Sequence, residues 1–243
     1  DRYNTANLFD MNQSVAEMVT KLSKLPLQNH PGTTWDYSMS NDVLVRIVEV
    51  ASGVEFNTFF EEKIVKPLKL TDTAFWADGA ERQARIAEPQ IKSPFFIDVT
   101  KKPKLILGGN GLVSTANDYA RFCLMLHNGG ILDGARLVSR KTIEHMISNH
   151  IPPGYKYFTS IPLQILWRSP SLETGQGYGL GFGINCEPGL SPSPGSKGDY
   201  YWTGINGTLF WVDPKEQVIA IMMTQGMGSQ HPNHHRLRQS VYQ

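Results

Sequence analysis

The chain has 243 residues, 40% of them hydrophobic and 19% charged, with a formal net charge of +1 at pH 7. That length supports one substantial core or two smaller lobes, and the composition is that of an ordinary globular protein. The near-neutral balance removes any electrostatic case for nucleic acid or an anionic membrane surface, and no apolar run reaches the length of a membrane span.

Cys123 and Cys186 are too few for a disulfide scaffold and read as free thiols. The chain opens without an initiator methionine or a signal-like segment, so it reads as starting mid-protein or after processing. Asn12 is placed to cap a first helix carrying Val15, Met18, Val19 and Leu22, which Pro26 ends. The turn Pro31-Gly32 then leads through Trp35 and Tyr37 to a helical apolar period, Val43, Leu44, Ile47, Val48 and Ala51. Ser40 or Asn41 is a fitting cap for that helix, and Gly53 a fitting end. Tyr37 therefore sits on a constrained loop at a helix mouth. A further helix is expected over Asn57 to Val65, stopped by Pro67.

From Leu70 to Leu107 periodicity is lost, and an irregular stretch of that length is expected to wall a substrate cleft. Thr115 and Asp118 approximate a capping box ahead of Tyr119, Phe122, Cys123 and Leu126, with Gly129 at the far end. Ser139 begins a short helix through Ile143, Met146 and Ile147. Near Gly177 the pattern changes. Glycines alternate with apolar residues from Tyr178 to Ile184, an Asn206-Gly207 turn follows Tyr200 to Ile205, and Asp213-Pro214 separates Thr208–Val212 from Val218–Met223. Three or four antiparallel strands are expected there, with a covering helix from His234 to Tyr242. The division is a mostly helical domain over 1-176 and a sheet with its C-terminal helix over 177-243.

Several chemistry-bearing patterns fail on spacing. Gly195-Ser196-Lys197 ends like a phosphate loop, but Gly189 is one residue too far upstream and two prolines intervene, so it reads as a surface loop. His231, His234 and His235 lie in a polar tail that reads as solvated, and no metal site is expected. No Gly-x-Ser-x-Gly elbow occurs.

Tyr37-Ser38-Met39 and Trp202-Thr203-Gly204, taken together, resemble the second and third motifs of the serine β-lactamase-like hydrolases (class C β-lactamase/penicillin-binding-protein fold). The likeness is strongest to the esterase branch, the family VIII carboxylesterases, in which the third motif is often His-x-Gly or Trp-x-Gly. Thr71-Asp72-Thr73-Ala74-Phe75, Gly109-Asn110-Gly111-Leu112-Val113-Ser114-Thr115, Gly177-Tyr178-Gly179-Leu180-Gly181-Phe182 and Phe210-Trp211-Val212-Asp213-Pro214 are similar to the same branch, in the same order. The resemblance implies an α+β, β-lactamase/transpeptidase-like fold with a helical domain and an antiparallel sheet flanked by helices. It implies acyl transfer through a serine ester, with Tyr37 as proton-transfer residue and Trp202, Thr203, Gly204 and Ile205 as substrate wall and oxyanion donor.

Two departures shape the expectation. The family nucleophile lies in Ser-x-x-Lys, and no serine of this chain has lysine three positions on. The resemblance thus implies a carboxy-terminal portion whose amino-terminal part is missing from this sequence, with three alternatives open: that part is on a separate chain or an oligomer partner, is disordered, or was never present. Met39 stands where a β-lactamase has an amide-binding asparagine, and Trp202 where it has lysine, which favours small or short-chain uncharged esters. A β-lactamase or D-amino-acid peptidase remains the enzymatic alternative, and a catalytically inactive binding or scaffold protein the non-enzymatic one. No cofactor is implied.

Overall fold

A computed structural model describes residues 2–89, 97–158, 174–226 and 230–243. The elements are α1 (Arg2–Thr5), α2 (Val15–Leu22), β1 (Thr34–Asp36), α3 (Ser40–Ser52), α4 (Phe56–Phe60), α5 (Lys66–Leu68), α6 (Ala80–Gln83) and α7 (Ala116–His127). They continue with β2 (Ile131–Leu132), β3 (Ala135–Arg136), α8 (Arg140–Met146), β4 (Lys156–Phe158), β5 (Gln176–Tyr178), β6 (Gly183–Asn185), β7 (Tyr200–Thr203), β8 (Leu209–Asp213), β9 (Val218–Met222) and α9 (Gln230–Val241). Strands β5 to β9 form one antiparallel sheet in sequence order, one strand more than expected. None of the described helices is long and apolar enough to cross a membrane.

All five residues of β8 are buried, as the apolar run Leu209 to Val212 requires of a strand covered on both faces, and the strand ends on the buried Asp213. On one face Phe182, Ile184, Tyr200, Phe210 and Val212 pack with Leu68, Leu70, Cys123, Leu126 and Ile143, so this core joins sheet and helices. On the other, Tyr201, Leu209 and Trp211 lie under Leu237 and Tyr242 of the C-terminal helix region. A separate cluster of Leu8, Val15, Met18, Val45, Leu105 and Leu107 fills the space between α2 and α3. The irregular stretch after Leu70 therefore ends as core. Its residues 90–96 lie outside the described ones.

Local expectations were corrected at several points. Ser14, not Asn12, caps α2, in a complete capping box with Glu17. Met39 occupies the N-cap position of α3 without a side-chain bond, and Gly53 closes the helix at φ 70°. Pro67 does not stop its helix. A π-helical turn over Glu61–Val65 widens the backbone ahead of it, and the run continues to Leu68 before Lys69 turns left-handed. Cys123 and Cys186 are both free.

The Thr115 hydroxyl caps α7 through the Asp118 N–H, but Asp118 does not return the bond. Its Oδ2 instead accepts from the Asp72 N–H at 2.7 Å and from the Thr73 hydroxyl at 2.8 Å, with Asp118 only 4% exposed. This ties Thr71-Asp72-Thr73 to the start of α7. Asp118→Ala leaves the half-buried Asp72 N–H and the buried Thr73 hydroxyl without that acceptor, and is expected to lower unfolding free energy by about 1–3 kcal/mol, read from a denaturant titration.

Candidate active site

Tyr37 is delivered by three local devices. Gly32 takes φ 77° in the His30–Thr33 turn, where the Thr33 N–H donates to the His30 carbonyl at 3.2 Å. β1 then pairs in parallel with β4, with Trp35 opposite Tyr157, and fixes the direction of the chain. The helix α3 begins three residues after Tyr37.

The opposite side comes from β7. Trp202 and Tyr200 alternate with Tyr201, so Trp202 faces the helices while Tyr201 faces α9. The Tyr37 and Trp202 ring centroids are 5.8 Å apart, with the ring planes tilted by 31°. The two predicted motifs thus meet directly.

Two further aromatics, assigned no role from the sequence, complete the arrangement. Tyr178 stands edge-on to Trp202 at 5.4 Å and to Trp35 at 5.1 Å, and Trp35 lies 6.4 Å from Tyr37. Trp35, Tyr37, Trp202 and Tyr178 therefore form a closed circuit of ring contacts joining β1, β5 and β7. The glycines beside Tyr178 are required by close approach. A Cβ on Gly177 would lie 2.4 Å from the Asn149 side chain, and one on Gly179 would lie 2.1 Å from the Met146 carbonyl oxygen. Asn149 Oδ1 also accepts from the Tyr178 N–H at 3.0 Å. The Gly-Tyr-Gly alternation was the signal for this placement.

Thr203 is half-buried and pairs with Leu209 across the ladder. At Gly204 a Cβ would meet Thr208 Oγ1 at 2.2 Å, so the glycine is demanded by the turn that follows β7. Its N–H donates to the Thr208 carbonyl at 2.9 Å, and Ile205 is half-buried in the turn. Asn206 O accepts from the Gly226 N–H and the Thr224 hydroxyl, both at 2.9 Å.

His234 Nε2 lies 2.7 Å from the Gly207 carbonyl oxygen, with the residue 3% exposed. The expectation of a solvated histidine tail is thus corrected at His234, which pins the turn carrying the third motif. His235 bonds to Ser193. The Gly195-Ser196-Lys197 loop is likewise not free surface at its centre, because Ser196 is buried and its N–H donates to Asp213 Oδ2. Among the described residues, no group of three or more His, Cys, Asp or Glu side chains is placed to hold a metal ion.

Burial and neighbouring groups make both phenols harder to ionise. Burial and then the Asp42 carboxylate push the Tyr37 phenol above its ordinary value, against the opposing influence of the neighbouring Trp202 indole. Tyr178 is pushed up to about 12 by burial and by Tyr37. Asp42 itself is buried at the first turn of α3, and its Oδ1 accepts from the Gly109 N–H at 2.9 Å.

The family model described as Beta-lactamase matches residues 2–243. This chain belongs to the beta-lactamase family. Protein Rv1367c of Mycobacterium tuberculosis (strain ATCC 25618 / H37Rv) is 30% identical over 216 residues, 84% of this chain and 52% of its own length. Lovastatin esterase of Penicillium rubens is 26% identical over 180 residues, 68% of this chain and 44% of its own length. Among solved structures, EstCE1, described as a hydrolase with promiscuous acyltransferase activity, superposes with a TM-score of 0.72 at 19% identity, over 96% of this chain and 62% of that one. At that identity the likeness is one of fold. The chain has the α+β, β-lactamase/transpeptidase-like fold of a family of serine hydrolases, and it spans about half the length of these curated relatives.

Proposed function

We propose that this chain carries the proton-transfer and substrate-wall half of a serine carboxylesterase site that works through an acyl-enzyme on small or short-chain esters. The observation that carries this reading is the contact of Tyr37 with Trp202, in which the rings of the second and third motifs lie 5.8 Å apart. The seryl nucleophile and its lysine come from polypeptide beyond these residues. Attack by the serine oxygen on the ester carbonyl releases one proton to the Tyr37 oxygen as Tyr37 gives its own proton to the departing alkoxide, so the phenol is unchanged over the step. Trp202 orients that oxygen, and the backbone after Gly204 offers a donor to the developing oxyanion.

Support for an ester over a lactam or peptide lies in the residues that would read the substrate. Met39 offers no amide hydrogen bonds, and Trp202 offers an indole where a cation would bind a carboxylate. The similarity to a lovastatin esterase points the same way. The protein expressed from its whole open reading frame, given nitrophenyl butyrate, a cephalosporin and a D-alanyl-D-alanine peptide, is expected to hydrolyse the ester best. Preferential cleavage of the lactam or the peptide would reassign the substrate, and no turnover of any of the three, with no labelling by a fluorophosphonate, would leave a binding protein.

A further inference from the structure

The turn that follows β7 is held from outside as well as from within. Inside it, the Gly207 N–H donates to the Gly204 carbonyl at 3.0 Å and the Gly204 N–H to the Thr208 carbonyl at 2.9 Å. Outside it, the carbonyls of Asn206 and Gly207 go to two different elements. Asn206 O accepts from Gly226 and Thr224 after β9, and Gly207 O lies 2.7 Å from His234 Nε2 of α9. A carbonyl oxygen can only accept, so Nε2 carries a proton and donates it. Gly207 is buried and His234 is 3% exposed, so the ring supplies a donor where bulk water has little access.

These bonds dictate where the backbone of the third motif points. The Gly204–Ile205 peptide is trans, so the Ile205 N–H lies opposite the Gly204 carbonyl of the same plane. That carbonyl is turned inward onto the Gly207 N–H, and the Ile205 N–H is therefore directed out of the turn. We propose that His234 is a positioning residue for the third motif: by holding the Gly207 carbonyl it keeps this turn closed and the Ile205 N–H aimed as an oxyanion donor. This rests on the reading of the backbone after Gly204 as that donor. Docking of the C-terminal helix does not need the ring. The helix is already fixed by Arg238 on Asp199 at 2.8 Å, by Leu237 against Tyr201, Leu209 and Trp211, and by the Tyr242 hydroxyl, which donates to Asp213 Oδ2 at 2.7 Å. His234 stands one turn before Arg238, and its bond reaches the turn instead of the sheet. Without that N–H, α9 stays in place while the end of β7 loosens.

The test uses the protein expressed from its whole open reading frame. It compares His234→Leu, which fills the space without a donor, with His234→Gln, whose amide N–H has a reach close to that of Nε2. His234→Leu is expected to lower kcat for nitrophenyl butyrate by about 10-fold with KM within about 2-fold, a part of the roughly 10²–10³-fold that one oxyanion donor supplies. His234→Gln should recover most of that loss. A folded His234→Leu with unchanged kcat, or a loss that His234→Gln does not recover, overturns the proposal. Amide hydrogen exchange at Gly207 reads the pinning without turnover. It should quicken in His234→Leu and slow again in His234→Gln, with the amides of β8 unaffected. Should His234→Leu not fold, the unsubstituted protein decides. Its Gly207 N–H is expected to exchange as slowly as the β7–β8 ladder, and exchange at the rate of an exposed loop overturns the proposal. A protein inactive on esters in which Gly207 exchange still follows His234 would sink the esterase reading and keep the pinning. An active esterase in which neither kcat nor Gly207 exchange responds would do the opposite.

Discussion

Tyr37→Phe is expected to lower ester turnover by about 10²–10⁴-fold, the usual contribution of a positioned general acid or base. In barrier terms this is about 2.7–5.4 kcal/mol. The substitution removes only the oxygen. The ring contacts with Trp202 at 5.8 Å and with Trp35 at 6.4 Å survive, so the circuit of aromatics and the path of the chain into α3 persist. The loss should therefore fall on kcat with KM nearly unchanged, because the phenol acts on the transferring proton and not on ground-state binding. Trp202→Phe separates the two roles of its partner. It keeps an aromatic face toward Tyr178 and removes the indole N–H beside Tyr37, so its effect on kcat should be smaller than that of Tyr37→Phe. Turnover by Tyr37→Phe within a few-fold of the unsubstituted enzyme would remove Tyr37 from the chemistry.

What could be read in advance followed how local the cause was. The Tyr37 turn was legible because Pro31-Gly32, the helical period after Ser40 and the closing Gly53 all act within a few residues of one another. β8 was legible because a strand buried on both faces carries a continuous apolar run, here Leu209 to Val212. The circuit of four rings was not, because Trp35 meets Tyr178 only after β1 and β5 are brought together, and nothing near either residue encodes the other. His234 was misread for a related reason. Its neighbours Asn233, His235 and Arg236 have the composition of a solvated tail, yet the ring is buried against a carbonyl at the far end of β7. Asp42 gave no signal at all. An aspartate in the first turn of a helix looks like an exposed dipole partner until the turn at Gly108 is seen closing over it.

Arg238→Ala should destabilise the fold by about 3–5 kcal/mol, the cost of leaving a buried carboxylate without its cation. Asp199 is fully buried, and the Arg238 Nη2 reaches its Oδ1 at 2.8 Å while Asn185 Nδ2 donates to its Oδ2 at 3.1 Å. The guanidinium also lies 4.9 Å from the Trp211 ring centroid and 5.6 Å from that of Tyr201, so alanine removes packing as well as charge. For a chain of this size the thermal midpoint should fall by about 6–20 °C. This knot holds α9 on the back of β7 and β8, next to the Asn206–Gly207 turn that His234 pins, so loosening it reaches the strand that presents Trp202. The comparison that isolates the charge is Arg238→Met combined with Asp199→Asn. With both charges gone and most of the volume kept, the double variant should be more stable than Arg238→Ala, since a buried pair replaced as a pair loses far less than one broken on one side. A single variant destabilised by under about 1 kcal/mol would rank this contact with exposed ion pairs and leave the docking of α9 to Trp211, Leu237 and Tyr242.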